Sequence, residues 1–221
     1  MCSFGISSLL TNVPLNEAID IALDALYRDP EVPTPSETES LIRKMLLKAT
    51  TSVEFSFDGN MYNQLDGVAM GSPLGPILAN IIVGFLESRL DEDQWPLLYR
   101  RFVDDAFSVF PCEESALQFF GALNRMHPAL RYTMENEVDS RLPFMDVLVR
   151  RTGGGLVRSV YRKPTLTGLC IRWDSFPQTH QKIGPIKSLA SRACKICSET
   201  TLREELDRLQ EIFLRLYSQT T

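Results

Sequence analysis

The chain has 221 residues and a mass of 25.0 kDa, enough for one domain with an appendage and for a sizeable core. Its 44% hydrophobic and 23% charged residues exclude a disordered chain, and its longest apolar stretch, Ile77 to Leu86, is too short to cross a hydrocarbon layer and is broken by Asn80 and Gly84. The formal net charge of -5 conceals an asymmetry: residues 1–149 hold 10 Lys+Arg against 22 Asp+Glu, a net of -12, and residues 150–221 hold 13 against 6, a net of +7.

In chain order, Ser3 to Val13 reads as a buried strand, and Pro14 opens an amphipathic helix to about Tyr27. The proline-rich stretch from Asp29 to Pro35 ends it. Ser36 and Glu39 have the spacing of a capping box before a helix carrying Leu41, Met45, Leu46 and Ala49. Val53–Phe57 and Met61–Leu65 flank Asp58-Gly59-Asn60, which has hairpin turn chemistry. A glycine- and proline-rich loop, Gly67 to Pro76, leads into a helix to about Leu90. Leu97–Val103 and Ala106–Phe110 then enclose Asp104-Asp105 as a second hairpin.

Glu113 to Met126 has helical periodicity, with His127 at its end. Arg131–Glu135, Phe144–Arg151 and Leu156–Arg162 read as strands, the last two joined by Gly153-Gly154-Gly155. Beyond Pro164 the strand signals stop. Ile183–Cys197 and Thr201–Tyr217 read as helices, the second with Leu202, Leu206, Leu209, Phe213 and Leu216 on one face. The expected class is α+β with a mainly antiparallel sheet: an acidic part over residues 1–150, then a strand pair and helical subdomain over 151–221.

Two features could carry chemistry. Asp104 and Asp105 repel one another between two apolar runs, which suits either a solvated turn tip or a pair of ligands for a hard divalent cation. Gly67 to Pro76 allows close backbone approach ahead of a helix, as a structural loop or as a ligand cradle, without the spacing of a P-loop or dinucleotide fingerprint. The basic block 150–198 contains ten Lys and Arg against Asp174 alone; it is a solvated face or a grip for phosphates. Cys194-Lys195-Ile196-Cys197 lies in a helical pattern with no second pair, so a packed helix face is favoured over zinc. Five cysteines in all, with no basic or cleavable apolar leader after Met1, lead to the expectation of an intracellular compartment, nucleus or cytoplasm left open.

Taken in order, these features resemble the reverse transcriptases of Penelope-like retroelements. The blocks that carry the resemblance are Ser8 to Pro14, Gly67 to Leu74, Tyr99 to Asp105, Leu142 to Val147 and Val160 to Thr165, with His180, Lys182 and Leu189 to Ser198 also similar. The resemblance implies a right-hand polymerase fold, here a palm (an antiparallel sheet with packed helices) followed by a helical, helix-turn-helix-like thumb. It further implies RNA-directed DNA polymerisation with Mg²⁺ on an RNA template and a DNA primer. By the same resemblance, Asp104 and Asp105 are the catalytic, metal-binding aspartates, with Asp104 the ligand proper. Gly71, Ser72, Pro73 and Leu10 would face the nucleotide and template, Leu142 to Val147 would support the primer end, and Arg162, Lys163, His180 and Lys182 would contact nucleic acid.

One departure bears on activity. Gly5 stands where the family's first palm strand carries a metal-bridging aspartate, and Leu10 replaces an aromatic residue. Loss of about 4 kcal/mol of transition-state stabilisation corresponds to roughly a thousandfold in rate. The family's fingers and endonuclease module have no counterpart in the sequence. The expectation is therefore a polymerase fragment with absent or weakened activity, the alternative being a non-catalytic nucleic-acid-binding remnant using residues 150–198, with no membrane partner and an oligomeric state left open.

Overall fold

The computed structural model describes residues 1–51, 53–69, 71–166, 171 and 173–218; Met70, Cys170 and Arg172, which fall in the stretches read above, lie outside the described residues. Contacts divide the chain into two compact units, Met1–Glu135 and Asn136–Thr221.

The first unit contains β1 (Cys2–Ile6), α1 (Leu9–Asn12), α2 (Leu15–Arg28), α3 (Glu39–Thr50), β2 (Glu54–Phe57), β3 (Asn60–Asn63), α4 (Gly75–Glu87), β4 (Leu98–Phe102), β5 (Asp105–Val109), α5 (Glu113–Met126) and β6 (Tyr132–Asn136). Its main sheet has the order β4-β5-β1-β6, with β5 antiparallel to both β1 and β4. Alternation along β1 buries Cys2, Phe4 and Ile6. Against that face pack Ile19 and Leu23 of α2, Leu78, Ile82 and Val83 of α4, and Phe119 and Leu123 of α5. Phe4 lies at the centre of an aromatic group, its ring centroid 5.6 Å from Phe119 and 6.2 Å from Phe110.

The first strand is shorter than its apolar run suggests. It ends at Ile6 because Ser8 takes a left-handed φ of 50° and the chain turns into α1, where the Thr11 hydroxyl donates to Ser8 O at 2.9 Å. The capping box at Ser36 does not form either: Thr38 is the N-cap of α3, and Ser36 Oγ donates to Glu37 instead. The β2–β3 hairpin turns on Asp58 and Gly59, both at positive φ, with Asn60 already paired to Phe57.

The second unit holds β7 (Arg141–Phe144), β8 (Val147–Thr152), β9 (Gly155–Val160), α6 (Thr179–Ile196) and α7 (Glu199–Ser218). The three strands form an antiparallel meander, and α6 and α7 pack on each other and on β9. Residues 141–144 pair as a strand; Pro143 sits on an edge strand, where a missing N–H is tolerated. Helix α6 begins four residues earlier than Ile183, with a capping box of Gln178 and Gln181, and it accommodates Pro185 in its interior.

The joint between the helices is fastened to β9. Ser198 N donates to Arg158 O at 3.0 Å, Arg158 N donates to Ser198 Oγ at 3.0 Å, and the Thr201 hydroxyl donates to Arg158 O at 2.6 Å. Composition changes near residue 150, but contacts change at 136, because residue 150 lies mid-strand in β8 and is paired on both sides.

Candidate functional site

The β4–β5 hairpin closes on two residues, Val103 and Asp104, because Phe102 pairs with Asp105. Asp105 is therefore a strand residue, and only Asp104 occupies the turn. Val103 has a φ of 55°, a conformation that a β-branched side chain rarely adopts and that costs of order 1–3 kcal/mol. What holds it is Arg101. The Arg101 guanidinium donates from Nη1 to Val103 O at 3.0 Å and to Asn80 Oδ1 at 2.7 Å. It also donates from Nε and Nη2 to the two Glu87 oxygens, at 2.7 and 3.0 Å.

Glu87 is 8% exposed, so its charge depends on these donors. The Tyr99 hydroxyl donates to Glu87 Oε1 at 2.6 Å; burial, then the neighbouring Glu87 charge, push its pKa well above the ordinary 10.0. Burial and Glu87 likewise raise the pKa of Tyr132, whose buried hydroxyl has no hydrogen-bond partner among the described residues. The network joining α4, β4 and the aspartate turn was not anticipated from sequence. A signal was present: Arg101 shares its strand face with Tyr99, a face that must be buried against helices.

Across the sheet, Gly5 pairs with Asp105, and Ile6 N donates to Asp104 O at 2.9 Å. A Cβ placed on Gly5 would lie 3.6 Å from Asp105 Oδ1 and 3.2 Å from Thr133 Oγ1, which donates to Gly5 O at 3.2 Å. The first strand and the aspartate doublet are thus neighbours, on the sheet face opposite to Phe4 and Ala106. Two adjacent carboxylates and a glycine supply one side-chain oxygen donor fewer than the expected centre requires, and among the described residues no group of three or more His, Cys, Asp or Glu side chains could hold a metal ion. The donor set does not fit a two-cation site.

The glycine-rich loop docks on the end of α1. Val68 N donates to Leu10 O at 2.7 Å, and a Cβ on Gly67, which has a φ of 71°, would fall 2.6 Å from Leu10 O and 2.5 Å from Thr11 O. Leu10 itself is half-buried against the core and lies 3.5 Å from a Cβ built on Gly75. Ser72 shapes the entry to α4: its hydroxyl accepts from Leu74 N at 3.3 Å and its carbonyl accepts from Gly75 N at 3.1 Å. Gly71 and Pro73 are exposed, with open space around Gly71. The structure therefore brings Leu10 together with this loop, one helical turn after the strand that carries Gly5.

In the second unit the four basic residues singled out by sequence separate. Arg162 forms a two-pronged ion pair with the Glu205 carboxylate, Nη1 donating to Oε2 at 2.8 Å and Nη2 to Oε1. Glu205 is 8% exposed and Arg162 is its counter-ion, so Arg162 ties the end of β9 to α7. Lys182 donates to Trp173 O at 2.5 Å and lies over the Trp173 ring at 5.5 Å. Lys163 and His180 are exposed. The Met145-Asp146 turn, within the block expected to support a primer end, has Met145 at a φ of 53° and is held by Arg192 from α6, 3.0 Å from Asp146.

The family model of the animal helix-turn-helix domain matches residues 169–216, a stretch that takes in α6 and most of α7 but under half of the chain. No curated protein matches. Among solved structures, the fold is similar to that of part of a telomerase chain. The structure of telomerase from Candida albicans in complex with a TWJ fragment of telomeric RNA matches at a TM-score of 0.65 and 14% identity, over 99% of this chain and 39% of that one. Telomerase from Candida tropicalis in complex with a TWJ fragment of telomeric RNA matches at 0.53 and 12% identity, over 99% and 38%. The apo telomerase of Candida tropicalis truncated from its C-terminal domain matches at 0.51 and 13%, over 67% and 33%. The chain thus spans between a third and two fifths of the length of these telomerase chains, and at such identities the similarity is one of fold.

Proposed function

We propose that this chain is a palm and thumb portion of a reverse-transcriptase-like polymerase of the Penelope-like kind, with RNA-directed DNA synthesis absent or strongly reduced in the chain as it stands. The observation that supports this reading is the pairing of Gly5 with Asp105. The opening strand lies beside the aspartate turn, which supports the reading that Gly5 stands where the family carries its bridging carboxylate.

In such a polymerase a bound magnesium pair would supply activation of the attacking hydroxyl and stabilisation of the leaving phosphate, chemistry that the donor set of Asp104, Asp105 and Gly5 does not support here. In this chain Arg101 holds the turn that carries Asp104, Asp105 follows as the first residue of the adjoining strand, and the glycine-rich loop meets Leu10 through Gly67 and Val68. Primer extension on an RNA template with a DNA primer, in Mg²⁺ or Mn²⁺, tests the reading. No extension is expected; extension abolished by Asp104→Asn overturns the proposed inactivity.

A second role is nucleic-acid binding without catalysis. It is favoured by the exposure of Lys163, His180, Lys187 and Lys195 in the second unit. Affinity for an RNA–DNA duplex that falls steeply with salt is the expected result, and salt-indifferent binding removes this role.

A further inference from the structure

In the second unit, Arg141 on β7 and Arg150 on β8 are directly paired in the strand register. Their row continues to Val157 on β9, and the next row on the same sheet face is Pro143, Leu148 and Ser159. Like charges directly opposite one another on adjacent strands oppose strand pairing, because their Cα atoms lie only about 5 Å apart. A sequence that keeps two guanidiniums there gains nothing from them in the isolated fold.

This face borders a depression of about 360 Å³ between the sheet and α7. Arg208 enters it from the helix, and Leu148 and Val157 line it. Two carboxylates are present. Glu205 is neutralised by Arg162, which leaves Glu204 against three arginines. All three arginines are exposed, and among the described residues none of them forms an ion pair. Arginine is suited to such a place because its planar fork matches the oxygens of a phosphate, and one phosphate can serve two forks.

We propose that Arg141, Arg150 and Arg208 form a seat for the phosphodiester backbone of a nucleic-acid strand. The proposal rests on the nucleic-acid-binding reading above and specifies where that contact is made, on residues apart from Arg162, Lys163, His180 and Lys182. An open trough flanked by apolar side chains lets a strand run through, and an anion between the paired forks relieves their repulsion. The seat carries no sequence information; it positions the strand.

The test is fluorescence anisotropy of a labelled RNA–DNA duplex with the full chain, titrated across a salt series, for the wild type, Arg141→Gln/Arg150→Gln and Arg208→Gln. The slope of log affinity against log salt is expected to fall by about one for each arginine removed. Melting without nucleic acid supplies the second readout: Arg141→Gln/Arg150→Gln, which removes the opposed charges, is expected to melt at the same or a higher temperature, and a lowered melting temperature assigns the arginines a structural role instead. Steep salt dependence in the wild type with unchanged slopes in the variants overturns the seat and leaves the broader reading standing. Absence of salt-dependent binding by the wild type overturns both. If inorganic phosphate raises the melting temperature of the wild type but not of the double variant, and the duplex slopes are unchanged, the site takes a small anion and the backbone claim fails.

Discussion

Gly5 and Asp105 face each other across the β1–β5 ladder, and the hydroxyl of Thr133 reaches into the space that a side chain at position 5 would enter. A Cβ there would meet Thr133 Oγ1 at 3.2 Å, a contact that a small shift of the threonine relieves. Gly5→Asp is therefore expected to fold, and to add a carboxylate beside Asp105. Thermal melts with and without Mn²⁺ check this: the ion is expected to stabilise the variant by about 2.7 kcal/mol at a hundredfold excess over the dissociation constant, raising its melting temperature, where the wild type gains little. Equal stabilisation of both proteins would show that the aspartate pair already holds the ion.

The ion pair of Glu87 and Arg101 anchors the turn at Val103. Glu87→Ala leaves a buried guanidinium and is expected to destabilise the fold by about 3–5 kcal/mol in urea unfolding. Glu87→Leu/Arg101→Met, which removes both charges, is expected to recover most of this loss. If the double variant is as unstable as the single one, the bond from Arg101 to the Val103 carbonyl is the larger contribution.

Tyr99 and Tyr132 provide a test by pH. In the folded chain both hydroxyls keep their protons above the ordinary value of 10.0, whereas the unfolded chain releases them. Above pH 10 the unfolded state thus binds fewer protons, so stability falls as pH rises, by about 1.4 kcal/mol per unit for each tyrosine. Below pH 10 neither contributes a slope. Tyr132→Phe is expected to be neutral or stabilising at neutral pH, since its hydroxyl has no partner among the described residues, and to flatten the alkaline slope. Tyr99→Phe also flattens the slope but removes a donor from Glu87, and it is expected to cost about 1–3 kcal/mol.

Gly67 and Gly71 both have positive φ, but only Gly67 is pressed against backbone. Gly71→Ala is expected to cost about 1–2 kcal/mol for the left-handed conformation alone. Gly67→Ala adds a clash with the carbonyls of Leu10 and Thr11, and the larger loss should appear in the melting temperature of the purified protein. Equal losses would mean that the loop can lift from α1.

Much of this was legible where a pattern is local and repeated. The apolar face of α2, the Asp58-Gly59 turn and the Asp104 hairpin follow from periodicity and turn chemistry within a few residues. Elsewhere a local signal competed with contacts distant in sequence. Ser36 and Glu39 have capping-box spacing, yet Thr38 caps the helix. The helical pattern reads from Ile183, yet Gln178 and Gln181 start α6 earlier.

The site divides in the same way. Asp104, Asp105 and Gly5 could be singled out because a short motif carries them. Glu87 and Arg101 are 14 positions apart, and Arg162 and Glu205 are 43 apart. Their partnerships exist only once a strand lies beside a helix, so a basic block read along the chain could not show that Arg162 has a carboxylate partner on α7.

The fastening of Ser198 and Thr201 to Arg158 has a consequence for how the second unit can be divided. A helix pair excised at residue 169 would take both halves of the joint's hydroxyl clasp and abandon the strand they hold, leaving three orphaned bonds at its elbow. The helix-turn-helix resemblance therefore marks a stretch of chain rather than a part that comes away whole, and any lever action of α6 and α7 must carry the middle of β9 along.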